Sequence, residues 1–302
     1  CSSELMTGSP DRRPEVDRQA VMAAKRRQER RAWHRLAEVR GWTGGHRAPH
    51  RTIGLTTDDG VRLAATWLPG PSRDDPAVVV VHGFAAHRRK PAYAFLADHL
   101  AATNHVLAID LRGHGGSGGR STLGADEWRD VHAAVDTLKG RGHERVVVVG
   151  LSLGGTATAH ALAKGLDVDG AVLVSSSARH WDLSLPGMVT LDTLWRSPLK
   201  RRVWQAVASF RMVDPEQIPP YGDPVELVAD TDVPLLIVHG ADDAYFAPAH
   251  ADELAAAAAG HVIVWHEPTG FGHAEDGLTP AFCARLADAV RLVVSEGRFP
   301  DR

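Results

Sequence analysis

The sequence predicts an α/β fold, built on a mostly parallel, eight-stranded sheet with helices on both faces. Two observations lead to this prediction. Short runs of Val, Ile and Leu alternate with segments of helix length, which is the pattern of parallel strands covered on both sides. The chain of 302 residues is 44% apolar and 24% charged, values typical of a globular protein with a large core.

The predicted elements follow one another along the chain. Residues 51–57 and 61–67 flank Asp58-Asp59-Gly60, and this pattern predicts a β-hairpin. Apolar runs predict six further strands, at 77–81, 105–109, 145–149, 170–174, 234–238 and 261–265. The segments between them predict helices at 91–103, 126–139, 152–164, 248–259 and 280–294.

Two segments stand outside this alternation. Residues 1–50 form a basic N-terminal arm, in which 16–40 lacks Gly and Pro and is predicted to be a helix on the protein surface. Residues 176–231 contain no clear strand and are too long for a plain connection, so we predict a small helical lid insertion there. The core domain is then formed by residues 51–175 and 232–302.

The charge is uneven along the chain. Residues 1–51 carry 12 Lys and Arg against 6 Asp and Glu, a net charge of +6. Because the whole chain has a net charge of −3, the remaining residues have a net charge of −9. An arm of this kind is consistent with binding to an anionic surface or a partner, but a solvated helix is the simpler interpretation. The mildly acidic body gives no signature of nucleic-acid binding.

Composition also limits the class of protein. The only cysteines are Cys1 and Cys283, which excludes a disulfide framework and a Cys-rich zinc site. No apolar run approaches about 18 residues, so we expect no transmembrane helix. The start Cys1-Ser2-Ser3 resembles a mature lipoprotein, yet we expect a cytoplasmic protein, with membrane anchoring through a lipidated Cys1 as the alternative. The high Ala, Arg and Gly content suggests a bacterial origin.

The strongest chemical signal is Gly150-Leu151-Ser152-Leu153-Gly154, a G-x-S-x-G pattern between a predicted strand and a predicted helix. So tight a turn lifts Ser152 clear of the sheet and requires small residues two positions away on either side. The backbone N–H of Leu153 and the helix N-terminus then lie where an oxyanion would form. The pattern therefore predicts Ser152 as a nucleophile.

A serine hydroxyl needs a base, and 17 histidines are available. His273 lies in a glycine-rich loop after the last strand, at the sheet edge where Ser152 also lies, and is the candidate base. The base needs an acid that fixes its tautomer. Asp243 and Asp242 both follow the penultimate strand; Asp243 has the better spacing after Gly240, and Asp242 is the reserve.

Nucleophile, acid and base occur in the order Ser, Asp, His, and here the chain resembles the α/β-hydrolase superfamily, in particular its lid-bearing serine hydrolases, over residues 51–296. The segment His82-Gly83-Phe84-Ala85, after strand 77–81, agrees with this resemblance. It implies that the backbone N–H of Phe84 is the second oxyanion donor, beside that of Leu153. It also implies that the insertion is the family's lid.

The predicted function is a serine hydrolase that cleaves small-molecule carboxylic esters through an acyl-enzyme, without cofactor or metal. Relatives with this fold that act as dehalogenases or epoxide hydrolases usually carry Asp where this chain has Ser152, which argues against both activities. A thioesterase remains an alternative. So does an aminopeptidase of the proline-iminopeptidase kind, with Glu216, Asp223 or Glu226 holding the free amine.

Two further classes of function compete with this one. A non-catalytic receptor of the same fold would use the pocket for binding alone. Gly113, Gly115 and Gly118 follow a strand and fit the G-x-G-x-x-G pattern of dinucleotide-binding oxidoreductases. We rank this reading last, because the next predicted helix begins only near residue 126 and an earlier strand-helix unit precedes the run.

Overall fold

The computed structural model of the protein describes residues 43–301. The predicted N-terminal helix at 16–40 and the Cys1 end of the chain lie outside these described residues. Among the helices of the described part, none has both the length and the apolar character needed to cross a membrane.

One sheet organises this part of the chain. Its strands are β1 (Arg51–Thr56), β2 (Arg62–Leu68), β3 (Ala77–Val81), β4 (His105–Ile109), β5 (Val146–Leu151), β6 (Gly170–Val174), β7 (Leu235–Gly240) and β8 (Val262–Glu267). They hydrogen-bond in the order β1-β2-β4-β3-β5-β6-β7-β8. Only β2 runs against its neighbours, and the other pairs are parallel. The prediction of a mostly parallel, eight-stranded sheet is confirmed.

Helices occupy the segments between the strands. They are α1 (Pro91–Leu100), α2 (Trp128–Lys139), α3 (Leu153–Ala163), α4 (Pro186–Arg196), α5 (Pro198–Val207), α6 (Pro224–Leu227), α7 (Ala249–Ala257) and α8 (Pro280–Glu296). Short 3₁₀ turns lie at Pro215–Gln217 and Ala274–Gly277. The longest helix, α8, begins where the Thr279 hydroxyl accepts from the N–H of Phe282, and it ends at Gly297 in the left-handed conformation.

The sheet is covered on both faces because its central strands are apolar at every position. In β5, Val146 and Val148 point to a layer that includes α2, α3 and α7. Val147 and Val149 point to the opposite layer, formed with α1 and α8. Burying each of these valines contributes about 1.5–3 kcal/mol relative to exposure, which explains why the run carries no polar residue.

The connection from β6 to β7 contains α4, α5, one 3₁₀ turn and α6. It is hydrogen-bonded to the loop that follows β4: the N–H of Arg211 donates to the carbonyl of Gly113 (2.7 Å), and that of Ser121 to the carbonyl of Arg211 (2.8 Å). Six large apolar side chains are exposed in the described residues. Five of them lie in this connection, namely Leu183, Val189, Leu199, Val203 and Val207, and the sixth is Tyr245, after β7.

Candidate active site

Ser152 occupies the sharp turn between β5 and α3. Its backbone has φ 53° and ψ −117°, a conformation that residues other than Gly rarely adopt. A Cβ at Gly154 would lie 2.3 Å from the carbonyl oxygen of Val81, and one at Gly150 would lie 2.4 Å from the carbonyl oxygen of Gly154. Glycine is therefore required on both sides, as the sequence pattern predicted.

Ser152, His273 and Asp243 form one line of hydrogen bonds. The Nε2 atom of His273 lies 2.9 Å from the Oγ atom of Ser152, and its Nδ1 atom lies 2.8 Å from Oδ2 of Asp243. The side chain of His273 is 15% exposed, and that of Asp243 is fully buried. The three residues come from loops 30 and 121 positions apart in sequence, so the sheet edge is what brings them together.

Asp243 is held as an acceptor. Its Oδ1 atom accepts from the backbone N–H groups of Tyr245 (2.8 Å) and Phe246 (3.0 Å). Burial raises its pKa, but the hydrogen bond and charge of His273 and these two N–H groups outweigh burial and bring the pKa below its usual value. An ionised carboxylate only accepts, so Nδ1 of His273 donates to it and Nε2 is left to accept the Ser152 proton.

The neighbouring Asp242 has a different environment. Its exposed side chain accepts from the N–H of Gly270 (2.6 Å), and its own N–H donates to the carbonyl of Phe271 (3.1 Å). It therefore braces the loop before His273 and makes no hydrogen bond to the imidazole. The structure brings Asp243, and not the reserve residue Asp242, to the candidate base.

The loop after β3 passes directly beside the candidate nucleophile. A Cβ at Gly83 would lie 3.2 Å from the Cβ of Ser152. Within the described residues, neither the N–H of Phe84 nor that of Leu153 has a hydrogen-bond acceptor in the protein. Both donors are thus available to a ligand oxygen, and Leu153 adds the positive end of α3.

Two buried histidines hold this loop. His82 donates from Nδ1 to the carbonyl of Gly83 (2.7 Å) and accepts at Nε2 from the N–H of Leu111 (3.0 Å). His114 accepts at Nε2 from the N–H of Ala85 (3.2 Å). Burial is the main reason that the pKa of His82 falls to about 3 and that the pKa of His114 is also lowered. Both rings are therefore neutral at pH 7 and act as supports.

The loop of the candidate base has a support that the sequence did not reveal. The N–H of Ala274 donates to the Oγ atom of Ser175 (2.9 Å), which lies just after β6. The only available signal was its position at a strand end, where polar residues of parallel strands meet. A lone serine at such a position does not indicate which loop it will contact.

Aromatic rings surround the site. The ring of Phe84 lies 5.2 Å from that of Trp204 on α5 and 5.0 Å from that of Phe210. The ring of Tyr245 lies 4.6 Å from the imidazole of His273. In contrast, Trp195 pairs with another tryptophan of the insertion, Trp181, at 5.1 Å. The insertion therefore reaches the candidate oxyanion loop through Trp204 and Phe210.

The glycine run after β4 has a structural role. The carboxylate of Asp110 accepts from the N–H groups of Arg88 (2.8 Å) and Gly116 (2.7 Å), and Arg112 donates from Nε to Asp130 (2.9 Å). The next helix, α2, begins only at Trp128, so the run does not open a helix as a phosphate-binding turn does. This geometry does not support dinucleotide binding there.

Within residues 43–301, no group of three or more His, Cys, Asp and Glu side chains is arranged to hold a metal ion.

Known proteins share this fold. The model of the alpha/beta hydrolase family matches residues 78–286. The structure is similar to an esterase from Pyrococcus furiosus, with 21% identity and a TM-score of 0.62 over 80% of this chain and 91% of the esterase. It is also similar to an esterase from a Rhodococcus species, with 19% identity and a TM-score of 0.58 over 81% of this chain and 98% of that one. No curated protein sequence gives a significant match.

Proposed function

The chain belongs to the alpha/beta hydrolase family, and from this premise we propose that it is a serine hydrolase that cleaves carboxylic esters through an acyl-enzyme. The observation that supports the proposal most is the hydrogen-bonded line from Ser152 through His273 to Asp243. Near this line, the N–H groups of Phe84 and Leu153 have no acceptor within residues 43–301, so the site offers a nucleophile, a base and oxyanion donors in one place.

In the first half of the reaction, Nε2 of His273 removes the hydroxyl proton as Oγ of Ser152 bonds to the ester carbonyl carbon. The carbonyl oxygen becomes an oxyanion, which accepts hydrogen bonds from the N–H groups of Phe84 and Leu153. His273 then returns its proton to the alkoxy oxygen. The carbon–oxygen bond breaks, the alcohol leaves, and the acyl group stays on Ser152.

In the second half, a water molecule takes the position of the alcohol. His273 accepts one proton from it as the water oxygen attacks the acyl carbon, and the same two N–H groups bind the second oxyanion. Collapse of this intermediate returns the proton to Oγ of Ser152 and releases a carboxylic acid. Asp243 stabilises the imidazolium in both halves, because it is buried and ionised next to Nδ1.

The substrate follows from what surrounds the site. The half-buried rings of Phe84 and Trp204 offer an apolar, aromatic surface beside the candidate oxyanion loop, and the buried ring of Phe210 packs behind them. We propose that an ester with an apolar acyl or aryl group binds there, and that the insertion between β6 and β7 acts as its lid. The two similar solved structures are both described as esterases, which agrees with this substrate class.

Nothing in the insertion favours an aminopeptidase. Asp223 accepts from the N–H of His180 (2.8 Å), and Glu226 accepts from the N–H of Asp223 (3.0 Å), so both carboxylates serve the start of α6. Glu216 lies exposed in the 3₁₀ turn at Pro215–Gln217. None of these contacts presents a carboxylate to a substrate amine.

The experiment that tests the proposal measures hydrolysis of p-nitrophenyl esters from acetate to palmitate by the wild type and by Ser152→Ala. We expect a rate with the wild type that falls by about 10⁴–10⁶ in the variant, since the nucleophile is lost. The chain-length profile then reports the size of the acyl site. Absence of hydrolysis for every ester, or equal rates for both proteins, would overturn the proposal.

A further inference from the structure

Between the loop that carries Phe84 and the loop that carries His273 lies one buried side chain, Tyr93 of α1. Its hydroxyl accepts from the N–H of Gly83 (2.9 Å), and the nearby carboxylate of Glu275 is one cause of its raised pKa. We propose that Tyr93, with Glu275, is a positioning residue that holds the oxyanion donor of Phe84 in place relative to Ser152. This inference rests on the proposed hydrolase function.

The direction of these hydrogen bonds is determined by chemistry. A backbone N–H only donates, so the Tyr93 oxygen is the acceptor for Gly83 and its own O–H is free to donate. A carboxylate accepts, and within this proposal that O–H donates to the nearby carboxylate of Glu275, which also pairs with Lys90. Tyr93 is 1% exposed, and burial together with the charge of Glu275 raises its pKa well above the usual value. The hydroxyl therefore stays protonated. The relay formed by Gly83, Tyr93 and Glu275 then keeps one direction of hydrogen bonding.

Geometry connects this relay to the candidate oxyanion hole. A Cβ at Gly83 would lie 3.1 Å from the Tyr93 hydroxyl and 3.2 Å from the Cβ of Ser152, so this glycine is held between the two. Its N–H is bound by Tyr93, and its carbonyl accepts from His82 and from the N–H of Ala86 (3.3 Å).

Two consecutive peptide groups are therefore fixed, one on each side of Gly83. The carbonyl of Gly83 and the N–H of Phe84 belong to the same planar trans peptide and point in opposite directions. Binding that carbonyl to His82 therefore aims the N–H of Phe84 away from the ring. Tyr93 fixes the peptide before it, and loss of this anchor would let the donor tilt without removing it.

The other end of the relay lies at the candidate base. Glu275 follows His273 by two residues, at the start of the 3₁₀ turn Ala274–Gly277. The same carboxylate receives Lys90, the residue that precedes α1. Tyr93 thus sets the distance between two loops that must both contact the same ester group, which is a catalytic requirement rather than a requirement of folding.

The test compares Tyr93→Phe with Tyr221→Phe. The first variant loses the oxygen that accepts from Gly83. The second loses a hydroxyl that donates to the carbonyl of Leu123, which belongs neither to the triad nor to the loop of Phe84. We expect similar decreases in melting temperature for both. We expect kcat on a p-nitrophenyl ester to fall about tenfold or more in Tyr93→Phe alone, with KM within twofold, since complete loss of one oxyanion donor costs about 10²–10³.

A trifluoromethyl ketone provides a second readout, because it forms a tetrahedral oxyanion on the serine. Its inhibition constant should rise in Tyr93→Phe by about the same factor as kcat falls, and should not change in Tyr221→Phe. Glu275→Gln keeps an acceptor for the hydroxyl and should retain kcat near the wild-type value, whereas Glu275→Ala should lower it.

Three outcomes would overturn the inference. The first is a wild-type kcat and inhibition constant in Tyr93→Phe. The second is an equal loss of kcat in Tyr221→Phe, which would indicate a structural effect alone. The third is an equal loss in Glu275→Gln and Glu275→Ala. Failure of the proposed function has a different signature, because the wild type would then hydrolyse no ester, or Ser152→Ala would hydrolyse esters at the wild-type rate.

Discussion

The loops at the edge of the sheet and the insertion between β6 and β7 hold their side chains in different ways. Around Ser152, His82 and Asp243 are buried and their polar atoms are hydrogen-bonded to neighbouring backbone. On α5 of the insertion, Val203 and Val207 are 55% and 56% exposed. The sheet-edge loops are fixed by directional hydrogen bonds, whereas α5 of the insertion exposes apolar side chains to solvent.

This difference indicates that the sheet-edge loops and the insertion are suited to different tasks. Positions that hold a proton or an oxyanion need sub-ångström placement, which the sheet-edge loops provide. The proposed selection of an acyl group needs only apolar contact, for which the ring of Trp204 is available in the insertion. We therefore expect substitutions in the loops to lower kcat. Substitutions in the insertion should raise KM and should change the free energy of unfolding only slightly.

The largest effect is expected from Asp243→Asn. The amide cannot stabilise the imidazolium and favours the wrong tautomer, so kcat should fall by about 10⁴ with KM little changed. Asp242→Asn is the matched control and should stay within a few-fold of the wild type, since the exposed side chain of Asp242 accepts from the backbone N–H of Gly270 and not from His273. Steady-state kinetics on one ester measure kcat for both variants. Equal losses of kcat would contradict the different roles of Asp243 and Asp242.

Acid should destabilise the protein through its buried histidines. The pKa of His82 is about 3 in the folded protein against 6.5 for a free histidine, so the unfolded state binds the proton more tightly. This part of the stability is complete above about pH 6.5 and is lost as the pH falls toward 3, at up to ~1.4 kcal/mol per pH unit. Urea unfolding at pH 7, 6 and 5 measures it.

The control for that measurement is a pair of substitutions. His82→Gln should flatten the dependence of unfolding free energy on pH, because a neutral side chain has no proton to gain. His261→Gln, at an exposed position, should keep the wild-type slope. Identical slopes for wild type and His82→Gln would contradict the assignment of the acid sensitivity to His82.

A smaller difference should separate two valines of the same chemistry. Val148 in β5 is 0% exposed, and Val203 on α5 is 55% exposed. Val148→Ala should lower the free energy of unfolding by about 2–3 kcal/mol, because it removes buried methyl groups and leaves a cavity. Val203→Ala should change it by less than ~0.5 kcal/mol. Comparable losses in urea denaturation would show that the insertion is packed as tightly as the sheet.

The smallest effect should come from the tryptophans of the insertion. Trp204→Ala removes the ring beside Phe84 and should raise KM for long-chain esters about tenfold, with less effect on acetate. Trp195→Ala removes a ring that pairs with Trp181 and should leave the chain-length profile unchanged. If both variants shift the profile equally, Trp204 has no special contact with the acyl group.

Much of the fold follows from the sequence because strands such as β3, β5 and β6 are apolar runs. Errors occur where tertiary contacts extend or shorten an element. The fifth strand is predicted to end at residue 149, where the run of four valines ends. In the structure it continues to Leu151, since Gly150 and Leu151 pair with Leu173 and Val174 of β6.

The second helix shows the opposite error. It was predicted from residue 126, but α2 begins at Trp128. The buried carboxylate of Glu127 accepts from Ser121, Thr122 and Gly124, so this residue serves the preceding loop. Local sequence contains no sign of that network, because its geometry depends on where the loop lies.

The candidate site divides in the same manner. Ser152, His273 and Asp243 could be proposed from sequence because motif, strand ends and spacing restrict each of them. Tyr93 and Ser175 could not, since their roles depend on hydrogen bonds to residues 10 and 99 positions away. Residues that act through a supporting contact have no local pattern, whatever their effect on the site.

Covalent labelling of the nucleophile tests the account most directly. The wild type, Ser152→Ala and Asp242→Asn would each be treated with a fluorophosphonate and analysed by peptide mass spectrometry. We expect a single phosphonyl adduct on the Ser152 peptide of the wild type and of Asp242→Asn, and none in Ser152→Ala. An adduct that persists in Ser152→Ala, or an unlabelled wild type, would contradict an activated serine at the turn between β5 and α3.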